Sequence, residues 1–291
     1  MIAMGLLNVC KLPGMSSHEV VSRIRRIAGM KRVGHTGTLD PAACGVLIVC
    51  LGPATRLADY IAAGPKSYRA EITFGVTTDS ADADGIVTGR VDASGLRENE
   101  IAAALQNITG DILQRPPAHS AIFINGKRAY HLARQGEIVD IPPRPVTIYA
   151  ADLQRFQPGS SPRILVDITC SKGTYIRSLA RDLGDSLGVG ATLTFLARTQ
   201  VGVCQLANTH TLDELTEAAH AGNLASYLEP LDAPLHYIPS LQLPPPATPY
   251  RHGLAAEVEA NDGLYRVYTD GLFLGLGRCE EGLLHPVVNL Q

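Results

Sequence analysis

The sequence lacks the features that mark several specialised classes of protein. Only 18% of the residues are charged and 45% are hydrophobic, which excludes a disordered or coiled-coil chain. Near the front of the chain, the longest apolar stretch without a charge spans residues 41–55, too short for a membrane helix and interrupted by proline and glycine. The first ten residues carry no basic segment before the apolar stretch, so we expect no secretory signal. These absences predict a soluble, intracellular protein.

Cysteine usage points the same way. No C-x-x-C pair occurs among the six cysteines, which are Cys10, Cys44, Cys50, Cys170, Cys204 and Cys279. We therefore expect neither a disulfide scaffold nor a zinc knuckle. Scattered cysteines in a chain of this length are typical of small buried side chains in a reducing compartment.

Positive and negative charge are unevenly distributed along the 291 residues. The net charge is −3, from 25 basic and 28 acidic residues, but residues 205–291 hold three arginines against eleven acidic residues. The first 204 residues therefore hold 22 basic and 17 acidic residues. Arginine outnumbers lysine 20 to 5, a bias that suits phosphate contacts and base stacking. A solvated helix face would explain the basic residues equally well, so composition alone does not decide between the two.

Hydrophobic periodicity predicts an α/β chain. A capping box at residues 16–19 opens a helix that ends at Gly29, and an apolar run at 46–51 predicts a buried strand. Alternation at 68–74 predicts a half-buried strand, and the acidic turn at 78–85 reads as surface. Further predictions are a helix at Glu98–Asn107, a strand at Arg163–Cys170 and a helix at 174–187.

The length allows one large domain or two, and the C-terminal part differs from the rest. Prolines crowd residues 239–249, which we interpret as a linker. Beyond them, apolar and polar residues alternate between glycines, as in a small β-barrel or sheet. We predict a large domain at 1–232 and a small β domain at 240–291.

One carboxylate is well placed for catalysis. Asp40 lies in a glycine-bordered loop just before Pro41 and the predicted strand at 46–51, so a rigid scaffold would fix its position. On the Asp-Pro pair alone, a turn aspartate that bonds its own backbone is the simpler interpretation.

Three other side chains have both a functional and an ordinary interpretation. Arg177 lies at the edge of the apolar stripe of its helix, where it either reaches a buried carboxylate or bonds Asp182, Asp185 or water. Tyr68 is either core or a platform for a base. His35 lies between two glycines that allow close approach of a ligand, or is simply a surface residue.

The order of several segments resembles the bacterial TruB-type tRNA pseudouridine synthases. The matching segments are 34–41 (GHTGTLDP), 66–70 (KSYRA), 114–117 (QRPP), 126–130 (GKRAY), 133–136 (ARQG) and 172–180 (KGTYIRSLA). The resemblance is colinear over about residues 8–203 and continues more weakly into the tail, which resembles a PUA-type RNA-binding domain.

The resemblance implies a fold and an activity. The fold would be an α/β pseudouridine synthase fold with a mixed, largely antiparallel sheet. The enzyme, an isomerase, would convert the uridine at position 55 in the T-loop of tRNA to pseudouridine by flipping the base out of the loop. The family needs no cofactor and no metal. We expect a cytoplasmic monomer whose partner is the tRNA T-arm, without membrane association.

Residue roles follow position by position from the same resemblance. Asp40 stands where the family has its catalytic aspartate, and Arg177 matches the arginine that pairs with it. Tyr68 matches the aromatic residue that stacks on the target base, and His35 matches the histidine that helps to hold the everted nucleotide. Tyr175 and Leu196 match positions that line the uridine pocket. Residues 114–146 would form an RNA-binding insertion that closes over the RNA arm.

Two alternatives stay open at this stage. An RNA-binding or RNA-folding protein would keep the same scaffold without turnover, although the joint presence of Asp40, Arg177 and Tyr68 argues for retained catalysis. An enzyme that uses the thiol of Cys44 or Cys170 would need a base partner, and the sequence offers none that is recognisable.

Overall fold

A computed structural model describes residues 4–117, 123–124, 127–128 and 141–290. The helices in chain order are α1 (Ser17–Ile27), α2 (Ala58–Ala63), α3 (Glu98–Asn107), α4 (Ile176–Ser186), α5 (Leu212–His220) and α6 (Thr248–Arg251). Short 3₁₀ helices occupy Gly52–Leu57, Leu206–Asn208, Leu224–Tyr227 and Ala233–Leu235.

The strands in chain order are β1 (Gly5–Lys11), β2 (Val33–His35), β3 (Cys44–Leu51), β4 (Lys66–Phe74), β5 (Val76–Thr78), β6 (Val87–Arg90), β7 (Gly110–Gln114), β8 (Phe123–Ile124), β9 (Lys127–Arg128), β10 (Arg144–Gln157), β11 (Arg163–Cys170), β12 (Ala191–Val201), β13 (Cys204–Gln205), β14 (Leu228–Glu229), β15 (Ser240–Gln242), β16 (Ala256–Glu257), β17 (Gly263–Thr269), β18 (Leu272–Glu280) and β19 (Leu283–Asn289). Within the described ranges, every helix is too short or too polar to cross a membrane.

Local signals set the ends of several helices. Ser16 Oγ accepts a hydrogen bond from the backbone N–H of Glu19 at 3.2 Å, and Glu19 Oε2 accepts one from the Ser16 N–H at 2.6 Å. This reciprocal cap begins α1 as predicted, and Gly29, in the left-handed region at φ 59°, follows its end. The predicted bounds of α3 and β11 are confirmed, whereas α4 begins at Ile176, after an extended Tyr175 at its N-cap.

The chain forms two bodies, which we call the first body (residues 1–64 and 200–291) and the second body (residues 65–199). In the first body, β1 pairs antiparallel with β3 and with β14, and β2 pairs antiparallel with β3. One face of β1 and β3 packs against α1 and α5. The other face packs against α2, the 3₁₀ turn before it and residues of β18 and β19. Burial on both faces explains why β3 is an unbroken apolar run.

The C-terminal sheet of the first body has the order β15-β17-β18-β19-β16. β15 pairs parallel with β17 and the other pairs are antiparallel, which confirms the predicted small β structure. The predicted linker at 239–249 is wrong in part, because Ser240–Gln242 forms β15 and Thr248–Arg251 forms α6. The domain boundary between residues 232 and 240 stays a prediction.

The second body is built on the strand order β12-β4-β11-β10-β7. The pairs β4–β11, β11–β10 and β10–β7 are antiparallel. Alternate residues of β4 and β11, such as Ile72 and Val166, form a core with apolar residues of α3 and α4. The alternation read from residues 68–74 is thereby confirmed, and the two helices cover one face of this sheet.

Candidate active site

The loop that carries Asp40 is fixed by its neighbours in the first body. Lys11, at the end of β1, is fully buried and donates from Nζ to the carbonyls of Leu12 and Pro41 at 3.1 Å and of Ala43 at 2.6 Å. The N–H of Gly14 donates to the carbonyl of Pro41 at 2.9 Å. A lysine ammonium has three donors, and these bonds hold the backbone from Pro41 to Ala43, on one side of Asp40.

A serine fixes the other side of Asp40. Ser17 Oγ accepts from the Leu39 N–H at 2.9 Å and lies 3.2 Å from the Leu39 carbonyl oxygen. The Ala43 N–H donates to the Asp40 carbonyl at 3.1 Å, which closes a turn. Asp40 itself is half-buried. The loop therefore presents a partly accessible carboxylate on a restrained backbone, the arrangement a catalytic group requires.

His35 ends β2 and belongs to the same loop. It pairs in register with Val49 of β3, and its Nδ1 accepts from the Gly37 N–H at 3.3 Å. The structure thus brings His35 and Asp40, both predicted site residues, to one loop of the first body.

Arg177 lies in the first turn of α4 in the second body and is 5% exposed. Its Nη1 is 3.2 Å from Oδ2 of Asp82 and donates to the Ser80 carbonyl at 3.3 Å. The guanidinium is therefore turned into the protein, as the functional interpretation of the sequence requires. The ordinary interpretation was a surface arginine bonded to Asp182, Asp185 or water. It does not hold, because Arg177 is buried and Asp182 pairs with Arg181 at 2.7 Å.

Sequence reasoning missed Asp82, because it lies in the acidic turn that was predicted to be surface. Ser80 and Ala81 are buried instead, and the Leu193 N–H of β12 donates to the Ala81 carbonyl at 3.1 Å. Asp82 Oδ1 accepts from Ser80 Oγ at 2.5 Å and from the Asp84 N–H at 3.2 Å. The carboxylate that faces Arg177 is thus held by its own turn. The polar composition of that turn did not indicate that Asp82 faces a buried arginine.

Gln114 is the second residue that sequence reasoning did not identify as part of the site. Its side chain, 1% exposed, accepts from the Tyr175 N–H at 2.8 Å and donates to the Tyr175 carbonyl at 3.0 Å. The first turn of α4 is also anchored by Ser178 Oγ, which donates to the Arg115 carbonyl at 2.9 Å. The end of β7 therefore fixes Tyr175 and the helix start that carries Arg177.

Tyr68 and Leu196 line the same core of the second body. Both are half-buried and pack against the cluster that contains Ile176 and Leu179 of α4. Tyr68 lies opposite Ile168 of β11 in register. Four of the six predicted site residues therefore belong to the second body and two to the first. The predicted pairing of Arg177 with Asp40 stays a prediction.

Most of the predicted RNA-binding insertion at 114–146 lies outside the described residues. β7 ends at Gln114, two short strands pair at Phe123–Ile124 and Lys127–Arg128, and β10 begins at Arg144. The role of the insertion therefore stays a prediction.

Cys44 and Cys170 do not have the character of nucleophiles. Burial raises the pKa of Cys170 to about 11 and also raises the pKa of Cys44. A thiol must ionise to attack, and both shifts oppose ionisation. The thiol-enzyme alternative is therefore disfavoured.

Comparison with known proteins identifies the family of this chain. Residues 25–176 match the N-terminal domain of the TruB family of pseudouridylate synthases, residues 177–236 match the tRNA pseudouridylate synthase B C-terminal domain, and residues 239–288 match the C-terminal part of pseudouridine synthase II TruB. The chain is 53% identical over 211 residues to tRNA pseudouridine synthase B of Symbiobacterium thermophilum, which covers 72% of this chain and 71% of the relative.

A second relative matches over almost the whole length. The tRNA pseudouridine synthase B of Acaryochloris marina is 44% identical over 291 residues, which is 99% of both chains. Among solved structures, a chain of the crystal structure of a Cbf5-Nop10-Gar1 complex is 26% identical with a TM-score of 0.74, over 95% of this chain and 78% of that chain. The predicted fold class is confirmed by this likeness, and the chain belongs to the TruB family of pseudouridylate synthases.

Proposed function

We propose that this protein isomerises the uridine at position 55 in the T-loop of tRNA to pseudouridine. Its full-length relative is named tRNA pseudouridine synthase B. The observation that carries the proposal is the restrained loop around Asp40, in which Lys11, Gly14 and Ser17 hold the backbone on both sides of the carboxylate.

The reaction breaks the bond between C1′ of the ribose and N1 of uracil and joins C1′ to C5. The carboxylate of Asp40 acts by covalent attack or by deprotonation. Arg177 favours the charged form of this carboxylate, which partial burial alone would disfavour. No redox change or hydrolysis occurs, so the reaction requires neither a cofactor nor a metal.

The target uridine must leave the base stack before C1′ and C6 become accessible. Unstacking costs a few kcal/mol, and stacking on Tyr68 returns roughly 1–3 kcal/mol. His35 holds the everted nucleotide, and Tyr175 and Leu196 line the pocket that receives the uracil. Residues 114–146 close over the T-arm, and the domain at 240–291 contacts RNA. The protein acts as a monomer in the cytoplasm.

The test is release of tritium from unmodified tRNA labelled at C5 of uracil. The C5–H bond must break when the new bond forms, so release reports the isomerisation itself. We expect release by the wild-type protein, none by Asp40→Asn, and full release by Asp59→Asn, which changes an exposed aspartate of α2. A T-arm hairpin with uridine at position 55 should be a substrate, and the same hairpin with cytidine there should not.

Two outcomes would contradict the proposal. No release by any variant, with tRNA binding intact, would favour an RNA-folding protein. Full release by Asp40→Asn would remove Asp40 from the catalytic role. Arg177→Leu should impair the rate of release more than the affinity for tRNA, because the arginine acts on the carboxylate rather than on the RNA.

A further inference from the structure

Positive and negative charge are unevenly distributed within the first body. Residues 1–64 hold seven basic and three acidic side chains, whereas residues 200–291 hold three basic and eleven acidic side chains. A body with this excess of acid repels a polyanion such as RNA unless its positive charges are gathered in one place. The positions of its arginines therefore determine where it is able to hold RNA.

Two arginines of the first body are fixed by hydrogen bonds to adjacent parts of the fold. Arg25, in the last turn of α1, donates from Nη2 to the carbonyl of Val33 at 3.1 Å. Arg32, the residue before Val33, donates from Nε to Thr55 Oγ1 at 2.7 Å, and its carbonyl accepts from the Gly52 N–H at 2.8 Å. The start of β2 and the 3₁₀ helix that carries Thr55 thus bring the two side chains close together.

Two further arginines continue this arrangement to the C-terminal sheet. Arg56 follows Thr55 directly and donates from Nη1 to the carbonyl of Asn289 at 2.9 Å. The side chain of Asn289 in turn donates from Nδ2 to the carbonyl of Arg251 at 2.7 Å. We call these four residues the arginine strip: Arg25, Arg32, Arg56 and Arg251.

The arginine strip carries positive charge that no carboxylate neutralises. Arg32 and Arg56 are exposed, and Arg25 and Arg251 are half-buried. Within the part of the chain that the structure describes, none of the four has a carboxylate oxygen within 4.0 Å, whereas five other arginines do: Arg69, Arg163, Arg177, Arg181 and Arg266. Each guanidinium of the strip also keeps most of its N–H donors for another acceptor.

The arginine strip lies away from His35. Gly34 faces Thr55, since a Cβ on Gly34 would lie 3.8 Å from Thr55 Cγ2. Side chains alternate along a strand, so His35 points to the opposite face of β2. The charges of the strip are therefore placed to hold RNA outside the candidate active site rather than to act on the reacting base.

We propose that the arginine strip binds phosphates of the tRNA backbone; this inference rests on the proposed function. A connected row of held guanidinium groups suits a polyanion, because each group offers paired donors to a phosphate. Such contacts fix the position of a nucleic acid without reading its sequence. The C-terminal sheet takes part through Arg251, in spite of the acidic residues around it.

The salt dependence of tRNA binding tests this inference. For each phosphate contact that is lost, the slope of the logarithm of the association constant against the logarithm of salt concentration becomes shallower by about 0.7–0.9. We expect this change in Arg32→Met and in Arg56→Met, with a Kd about fivefold weaker at about 150 mM salt. The double variant should show about twice the change in slope. Each Kd is measured in the Asp40→Asn background, so that the bound tRNA is not converted.

Arg23→Met and Arg278→Met are the matched controls. Arg23 is exposed on α1, about 200° around the helix from Arg25. Arg278 is exposed on β18, where Asp262 and Glu280 line the same surface hollow. Neither belongs to the arginine strip, so the slope and the Kd should equal those of the Asp40→Asn protein. An equally shallow slope in Arg23→Met would overturn the inference, because any surface arginine would then act alike.

Single-turnover tritium release at saturating enzyme, with Asp40 restored, completes the test. The strip variants should keep the rate constant of the wild type, because the strip acts on binding. Unchanged slopes overturn the inference, and so does a lower rate constant with an unchanged Kd. If the wild type releases no tritium while the strip variants have shallower slopes, the proposed function is wrong and the strip still binds RNA. If Arg32→Met does not fold without its bond to Thr55, an unchanged slope in Arg56→Met overturns the inference by itself.

Discussion

Nη1 of Arg177 lies 3.2 Å from Oδ2 of Asp82, and the two side chains are 6% and 17% exposed. The pair joins the first turn of α4 to the turn that follows β5. The backbone carbonyl of Ser80 accepts from the same nitrogen. Asp82 therefore helps to set the direction in which the guanidinium of Arg177 points.

Asp82→Asn tests this relationship. The amide keeps the size of the side chain and an acceptor for Ser80 Oγ and for the Asp84 N–H, but it removes the charge that faces Arg177. We expect the rate constant for tritium release to fall about ten- to hundredfold, while tRNA affinity changes little. Asp84→Asn, an exposed residue of the same turn, should behave as the wild type. Equal rates for the two variants would show that Asp82 does not orient Arg177.

Much of the fold could be predicted because its signals are local. The capping box of Ser16 and Glu19 is a sequence pattern that the structure repeats bond for bond. The apolar run of β3 reflects burial on both faces, and the alternation of β4 reflects burial on one face. In these elements, propensity, pattern and packing agree.

The features of the fold and of the candidate site that could not be predicted depend on contacts between residues far apart in the sequence. The acidic turn has the polar composition of a surface loop, yet β12 and Arg177 bury part of it. No local sequence pattern around Gln114 predicts its two hydrogen bonds to the backbone of Tyr175. The prolines around β15 suggest a linker, although a strand needs only its pairing partner β17 to form. Asp40 and Arg177 were assigned by the family resemblance, since spacing alone left both interpretations open.

Lys11→Met should loosen the loop that carries Asp40. The substitution keeps the buried volume approximately but leaves the carbonyls of Pro41 and Ala43 without the ammonium. Hydrogen bonds to a charged group contribute about 1.5–3 kcal/mol, and we expect a loss of unfolding free energy of this size, measured by urea titration. The rate constant for tritium release should fall about tenfold or more, because a misplaced reacting group costs rate steeply.

Lys31→Met is the control for this variant. Lys31 is exposed after α1, so its loss should leave the free energy of unfolding and the rate constant unchanged. A Lys11→Met protein with the rate constant of the wild type would show that the ammonium does not position Asp40.

Gln114→Leu should impair the start of α4. The leucine fills the buried space but leaves the N–H and carbonyl of Tyr175 unsatisfied, at a cost of about 1–3 kcal/mol. Because Tyr175 and Arg177 would lose their fixed position, we expect a lower rate constant in single turnover as well as a lower melting temperature. Gln154→Leu, an exposed position of β10, should change neither. Loss of stability with an unchanged rate would mean that the two hydrogen bonds between Gln114 and Tyr175 serve only the stability of the fold.

Tyr268→Phe tests how the C-terminal sheet is held within the first body. The hydroxyl of Tyr268 on β17 donates to Asp232 Oδ2 and accepts from Arg266 Nη1 at 3.1 Å. Removing it leaves the carboxylate with Arg266 at 3.5 Å. We expect a loss of about 1–3 kcal/mol of unfolding free energy near neutral pH. Tyr265→Phe is the control, because its exposed hydroxyl donates only to the Asn261 carbonyl among the contacts described for it.

The raised pKa of Tyr268 predicts how the free energy of unfolding changes with pH under alkaline conditions. Burial, and then the hydrogen bond and charge of Asp232, raise the pKa of Tyr268 to about 12, from an ordinary value of 10.0. Between these values the unfolded chain loses the proton while the native protein keeps it, so stability must fall as the pH rises through this range. Urea titrations across the range should therefore show a decline that is shallower in Tyr268→Phe than in Tyr265→Phe. Parallel declines in the two variants would mean that the native protein does not hold the proton of Tyr268 more tightly than the unfolded chain does.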